Sequence, residues 1–101
     1  MKLLLINPNT SDAMTVGIAQ SAQAVAAAST QIIAVHPTFG PLSIEGHYDE
    51  AFAAVGVAEQ VRLAQAQSPD AIVLGCAGMS ALCHTLTERL GVPVIDGVAV
   101  A

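Results

Sequence analysis

Two short segments of this 101-residue chain gather side chains able to do chemistry: Gly75-Cys76-Ala77-Gly78-Met79 and Asn7-Pro8-Asn9-Thr10-Ser11. Cys76 stands between two glycines, after an apolar run and just before a segment of helical character. A helix N-terminus stabilises an anion and lowers a thiol pKa. Gly75 and Gly78 let the backbone approach a ligand closely, so the N–H groups of Ala77 and Gly78 can hold a carbonyl or carboxylate oxygen. That is the setting of a working thiolate. The alternative is a small buried thiol in a tight turn. The second segment places four hydrogen-bonding side chains, Asn7, Asn9, Thr10 and Ser11, at the entrance to a helix. Ser11 or Thr10 suits the N-cap and Asp12 suits the first turn. Capping leaves both asparagines unaccounted for, and the segment is expected to line a ligand site. It has no Gly and no Lys, so it is not a phosphate-binding Walker loop, and the chain has no GxGxxG for a dinucleotide.

The remaining titratable residues add little. Cys83 falls on the apolar stripe of the last helical segment and is expected to be core. Cys76 and Cys83 match neither CxxC nor a zinc pair, and the His, Cys, Asp and Glu residues show no metal-ligand spacing. A cysteine-protease arrangement needs a His and an orienting Asn or Asp. His36 precedes a proline at an expected sheet edge, and His84 is helical. His47 lies in Ser43-Ile44-Glu45-Gly46-His47-Tyr48, a loop that could fold over the site. A triad is not supported; acid–base chemistry by a thiol needs fewer parts.

The elements that must position these residues follow from hydrophobic patterning. Residues 2–6, 31–35, 71–74 and 92–95 are short, continuously apolar runs, each stopped by Pro, Gly, Asn or Asp nearby. Such runs suit strands buried on both faces. Between them lie helical patterns. From Asp12 to about Ala28 the apolar positions are Met14, Ile18, Ala22 and Val25. From Asp49 to Gln67 they are Ala53, Val57, Val61 and Ala64, with Gly56 able to split the segment. From Met79 to Leu90 they are Met79, Leu82, Cys83, Leu86 and Leu90, followed by Gly91 as a C-terminal cap. Strands alternating with helices predict one three-layer α/β domain, residues 1–101, with a four-stranded parallel sheet in the order 2-1-3-4. The ends of strands 1 and 3 then lie side by side at the switch point, where ligands bind. That juxtaposes residues 7–11 with residues 75–79.

Composition bounds the partners. The chain is 53% apolar with 11% charged residues, which excludes disorder. Three basic residues (Lys2, Arg62, Arg89) against eight acids give a net charge of −5, so nucleic acid is not an expected partner. The four apolar residues from Leu3 to Ile6 are too few for a signal peptide or membrane helix, and a cytoplasmic, non-membrane protein is expected. So few charges also suggest apolar surface shared with another copy.

The stretches LLLINPNTS, SIEGHYDEA, AIVLGCAGM and GVPVIDGV resemble the hydantoin and allantoin racemases of the aspartate/glutamate racemase superfamily. The resemblance implies a cofactor-independent racemase acting on a small molecule. In that family two cysteines face opposite sides of a substrate carbon; one removes the proton as thiolate and the other returns a proton. The family site lies between two similar α/β lobes, each supplying one cysteine. Here residues 1–67 resemble the start of the first lobe, and residues 69–97 the closing part of the second lobe, including its cysteine, Cys76. The first-lobe cysteine motif has no counterpart, and the family pattern continues beyond strand 4 into another helix, so an apolar face is expected to be uncovered. Cys83 cannot replace the missing cysteine: seven residues along a helix is about 10 Å of rise on a packed face. A two-fold homodimer would bring Cys76 of each copy to one cleft.

Three readings stay open. One is a hydantoin-like racemase or epimerase completed by that dimer. Another is a decarboxylase or isomerase of the same superfamily, needing one protonating cysteine. The last is a catalytically inactive single-lobe scaffold. None of the three basic residues lies in an expected site loop, so no guanidinium clamp for a dianion is present. A neutral cyclic amide or ureide suits the cleft better.

Overall fold

The computed structural model describes residues 1–75 and 80–96. The strands are β1 (Lys2–Ile6), β2 (Gln31–Val35), β3 (Ala71–Leu74) and β4 (Val94–Asp96), all parallel and ordered β2-β1-β3-β4. The helices are α1 (Asp12–Val25), α2 (His47–Ala64) and α3 (Ser80–Leu90), with a 3₁₀ turn at Gln65–Gln67. This is the α/β sheet and strand order that the patterning predicts.

Side chains two residues apart on a strand share a face. Leu4 and Ile6 of β1, Ile72 and Leu74 of β3 and Val94 of β4 therefore form one surface. Against it pack Ala53, Val57, Val61 and Ala64 of α2 and Cys83 and Leu86 of α3, giving a single buried cluster. All four α2 positions read from the sequence are in it. Burying a Leu, Ile or Val side chain is worth about 1.5–3 kcal/mol, so this layer supplies most of the drive to fold.

Among the described residues the other face is covered by α1, which lies against β2. Leu5, Val73 and Ile95 are in register across β1, β3 and β4 on this face. Leu5 is buried, Val73 is half-buried and Ile95 is 40% exposed, so cover thins toward β4.

Several boundaries and faces differ from expectation. The α1 stripe is displaced: Met14 and Val25 are exposed, and the buried position is Thr15, with Ile18, Ala19 and Ala22 half-buried. The cause is the Thr15 hydroxyl, which the preceding loop needs as a hydrogen-bond partner. Gly56 does not split α2, which runs unbroken for 18 residues. A Cβ at Gly56 would lie 2.7 Å from Cβ of the buried Pro37, so the glycine is there for close approach. Strand β4 starts at Val94, two residues later than the apolar run. Gly91 adopts φ +72° and turns the chain, and Pro93 has no N–H for the ladder, although its carbonyl accepts from Ile72 N at 2.9 Å. The Thr87 hydroxyl then pins β4 to α3, accepting from Val94 N at 3.0 Å.

Candidate functional site

The carboxyl ends of the central strands converge as the topology requires. Asn7 N donates to Val35 O at 3.0 Å, carrying the β1–β2 ladder one residue past the strand. Gly75 N donates to Ile6 O at 3.0 Å, and a Cβ on Gly75 would sit 3.9 Å from Pro8 Cδ. The end of β3 therefore lies against the loop that follows β1. The next residue in the chain is Cys76. Cys76, Ala77 and Gly78, the expected thiolate and oxyanion-binding residues, lie outside the described residues.

Within the loop, both asparagines are buried and bonded to one another. Asn7 Nδ2 donates to Asn9 Oδ1 at 2.8 Å and to Thr15 Oγ1 at 3.1 Å. Asn9 Oδ1 also accepts from Ser11 N at 2.9 Å, an Asx turn that aims the chain into α1. Ser11 is the N-cap, its hydroxyl accepting from Met14 N at 3.2 Å. The Thr15 hydroxyl donates to Ser11 O at 2.9 Å and so completes the ring of bonds. The polarity of the segment thus has a local use that the sequence reading gave only to Ser11 or Thr10: Asn7 and Asn9 are braces. Thr10 differs from them. Its N–H donates to Pro41 O at 3.0 Å, tying this loop to the one after β2. No hydrogen bond from its hydroxyl joins it to another described residue.

The histidines sit elsewhere. His47 is the first residue of α2 rather than part of a covering loop, and its ring is 99% exposed beside Glu50. His84 is exposed on α3, 3.2 Å from Glu88. His36 places Nδ1 2.8 Å from Pro37 O and Nε2 3.4 Å from Asp12 Oδ1. That pair borders an open cleft of about 400 Å³ between α1 and the outer strand β2, which also touches Thr15 and Thr38. Sequence reasoning missed this cleft, because strand-end rules point to the centre of the sheet and not to its edge. None of Asn7, Asn9, Thr10 and Ser11 lines it.

Positive charge is absent from the strand ends described. Lys2 Nζ donates to Gln67 O at the amino end of the sheet, Arg62 is held by Glu59, and Arg89 is in the last turn of α3. Among the described residues no three His, Cys, Asp or Glu side chains gather as a metal site, and no helix is long and apolar enough to cross a membrane.

Comparison with known proteins places these features in context. A family model described as Asp/Glu/Hydantoin racemase matches residues 3–73 and, separately, residues 57–101. The chain is 43% identical over 99 residues to a hydantoin racemase of Pseudomonas sp. (strain NS671), covering 98% of this chain and 39% of that protein. A hydantoin racemase of Paenarthrobacter aurescens is 44% identical over 104 residues, covering 100% of this chain and 42% of the relative. Among solved structures, the allantoin racemase from Klebsiella pneumoniae superposes with a TM-score of 0.84 at 47% identity, over 95% of this chain and 39% of the other. The allantoin racemase from Pseudomonas fluorescens gives 0.85 at 38% identity, over 95% and 40%. The chain therefore spans about two fifths of the length of these relatives.

Proposed function

Because the chain belongs to the Asp/Glu/Hydantoin racemase family, we propose that it racemises or epimerises a hydantoin-like carbon acid by proton transfer at Cys76. Its identity to two hydantoin racemases along nearly its whole length carries this reading. The C5–H of a 5-substituted hydantoin is flanked by a carbonyl and a nitrogen, so the carbanion is stabilised as an enolate without a cofactor. In the proposed step the Cys76 thiolate takes that proton, leaving a thiol and an enolate. A second thiol on the opposite face protonates the carbon and becomes the thiolate. Backbone N–H groups of Ala77 and Gly78 would hold the enolate oxygen, and the Thr10 hydroxyl would orient the ring, over a floor braced by Asn7, Asn9 and Ser11. The lack of a cation at the described strand ends favours a neutral substrate over a dianion.

The second thiol would come from Cys76 of another copy, the chain acting as one lobe of a two-fold pair. Cys83 is 5% exposed in the core and is not available for it. The two separate family matches, overlapping at residues 57–73, support a chain assembled from a first-lobe start and a second-lobe end. Proton transfer by a positioned group is worth about 10² to 10⁴ in rate, so each cysteine should matter severely.

The test is a 5-substituted hydantoin in deuterium oxide, following loss of optical activity and deuterium uptake at C5. Mixed pairs of wild type and Cys76→Ala should exchange the proton from one face at most and should not racemise. Racemisation by mixed pairs at half the wild-type rate would show that each copy works alone. Deuterium uptake without racemisation, together with release of carbon dioxide from an activated malonate, would favour the one-cysteine decarboxylase. The burial of Cys83 is the observation that keeps that second reading in view.

A further inference from the structure

Helix α2 has a second stripe, on the side opposite its buried one. Tyr48, Ala51, Phe52, Val55, Ala58 and Arg62 recur at spacings of three and four and all are exposed. Tyr48 is 83% exposed, Phe52 44% and Val55 61%. Ala51 and Ala58 lie among the larger Tyr48, Phe52, Val55 and Arg62, the mixture of a helix–helix seam in which a bulky side chain enters a gap over a small one. An outward helix face needs no such pattern to fold. The stripe continues onto the loop after β2 through Phe39, whose ring centroid is 6.3 Å from that of Phe52.

We infer that this face of α2 is a self-pairing surface that takes a second copy of the chain, antiparallel, about a two-fold axis at Val55. The register follows from the residues. With Val55 against its own copy, Phe52 meets the partner's Ala58, and Tyr48 meets the partner's Arg62. The first contact sets large against small. The second sets a guanidinium, held in place by Glu59 through Nε at 3.1 Å, over an aromatic face. Charge decides the direction. The first turn of α2 carries Asp49 and Glu50 and the last turn carries Arg62. Antiparallel packing brings each Arg62 beside the partner's acidic turn and opposes the helix dipoles; parallel packing would stack acid on acid. Area reaches the minimum. Taking about 200 Å² for a large side chain, the exposed parts of Phe39, Leu42, Tyr48, Phe52 and Val55 present on the order of 500 Å² per copy, about 1,000 Å² for a pair if all of it is covered, the least that a specific interface needs.

This pairing is independent of the strand-end pairing proposed for catalysis, since an antiparallel seam along α2 points the two sets of strand ends apart. Its test turns on the axis residue. In the 101-residue chain, Val55→Lys and Val55→Glu should each halve the mass measured by sedimentation. Mixing the two in equal amounts should restore it, because Lys then faces Glu. Circular dichroism checks that each variant keeps its helices. Val55→Cys, a milder change, should cross-link to a covalent dimer under mild oxidation. A monomeric wild type, single variants of unchanged mass, a mixture that does not regain mass, or absence of the cross-link would each overturn the inference. A dimer unaffected by charge at Val55 would overturn it while leaving the strand-end pairing intact.

Discussion

Gly56→Ala is expected to weaken the protein even though alanine is the better helix former. Replacing an interior helical glycine by alanine gains about 1 kcal/mol of helix propensity where the new methyl group meets nothing. At Gly56 it meets Pro37 Cβ at 2.7 Å, Pro37 Cγ at 3.1 Å and Phe39 O at 3.2 Å. Two of these belong to a buried, rigid ring and the third to the backbone, so none can swing aside as the tip of a long side chain would. Overpacking of this kind costs about 1–3 kcal/mol. With three tight contacts to unyielding atoms the repulsion should exceed the propensity gain, for a net loss of up to about 2 kcal/mol. Gly17 supplies the control. It lies in α1, and a Cβ there would meet nothing within 4 Å, so Gly17→Ala should gain about 0.5–1 kcal/mol. Urea unfolding of both variants beside wild type, with unchanged slopes, gives the two signs directly. In a domain of this size about 1 kcal/mol moves Tm by roughly 4–8 °C, so thermal melts should separate them as well. If Gly56→Ala raises the urea midpoint as much as Gly17→Ala does, Pro37 is not packed on α2 as described.

Three further predictions use other parts of the molecule. Asn7→Ala removes the donor shared by Asn9 and Thr15 in a buried ring of bonds, and should cost about 1–3 kcal/mol by denaturant titration. A loss near zero would mean that Asn7 is not a brace. Cys83→Ala should cost about 1 kcal/mol of stability, the value of one buried small group, and should leave turnover within two-fold of wild type, whereas Cys76→Ala should abolish turnover with little change in stability. The Arg62 guanidinium holds the Glu59 carboxyl below its ordinary pKa, chiefly by hydrogen bonding. The stabilisation is therefore present above the ordinary carboxylate range and is lost as pH falls through the lowered value. Glu59→Gln should flatten that part of the stability profile slightly, and added salt should remove the difference.

The parts legible in the sequence are those where one physical demand governs a segment. In α2 burial alone sets the pattern, and Ala53, Val57, Val61 and Ala64 fall on the core as their spacing says. The strand order follows from alternation and crossover handedness, because parallel strands leave few topologies. Reading falters where two demands meet. Met14 fits the apolar period of α1, yet Thr15 takes the inward place because its hydroxyl serves both Asn7 and Ser11. Gly56 reads as a helix breaker by propensity and is instead a contact point. The sequence reading gave Asn7 and Asn9 no bracing role, because a hydrogen-bonded ring closed by a residue eight positions later leaves no local signature. Of the proposed site, the β1 loop is described, and its Thr10 N–H is tied to Pro41 O. The thiolate segment, Cys76 to Gly78, lies outside the described residues.

The contact between Pro37 and Gly56 bears on how the strand ends could be enclosed. Pro37 and Phe39 sit at the base of the loop after β2, and both are packed on α2, through Gly56 and Phe52. The tip of that loop is tied to the β1 loop by Thr10 N to Pro41 O. A free surface loop would flicker over the site in nanoseconds to microseconds. Here the loop cannot swing without either carrying an 18-residue helix with it or leaving Pro37 behind as a fixed pivot. Closure of the first kind is a collective motion of microseconds to milliseconds; closure of the second kind is confined to residues 38–46 and must first break the Thr10 bond. Any closure of this loop over the strand ends would therefore be a slow hinged motion, held back by the bond from Thr10 N to Pro41 O.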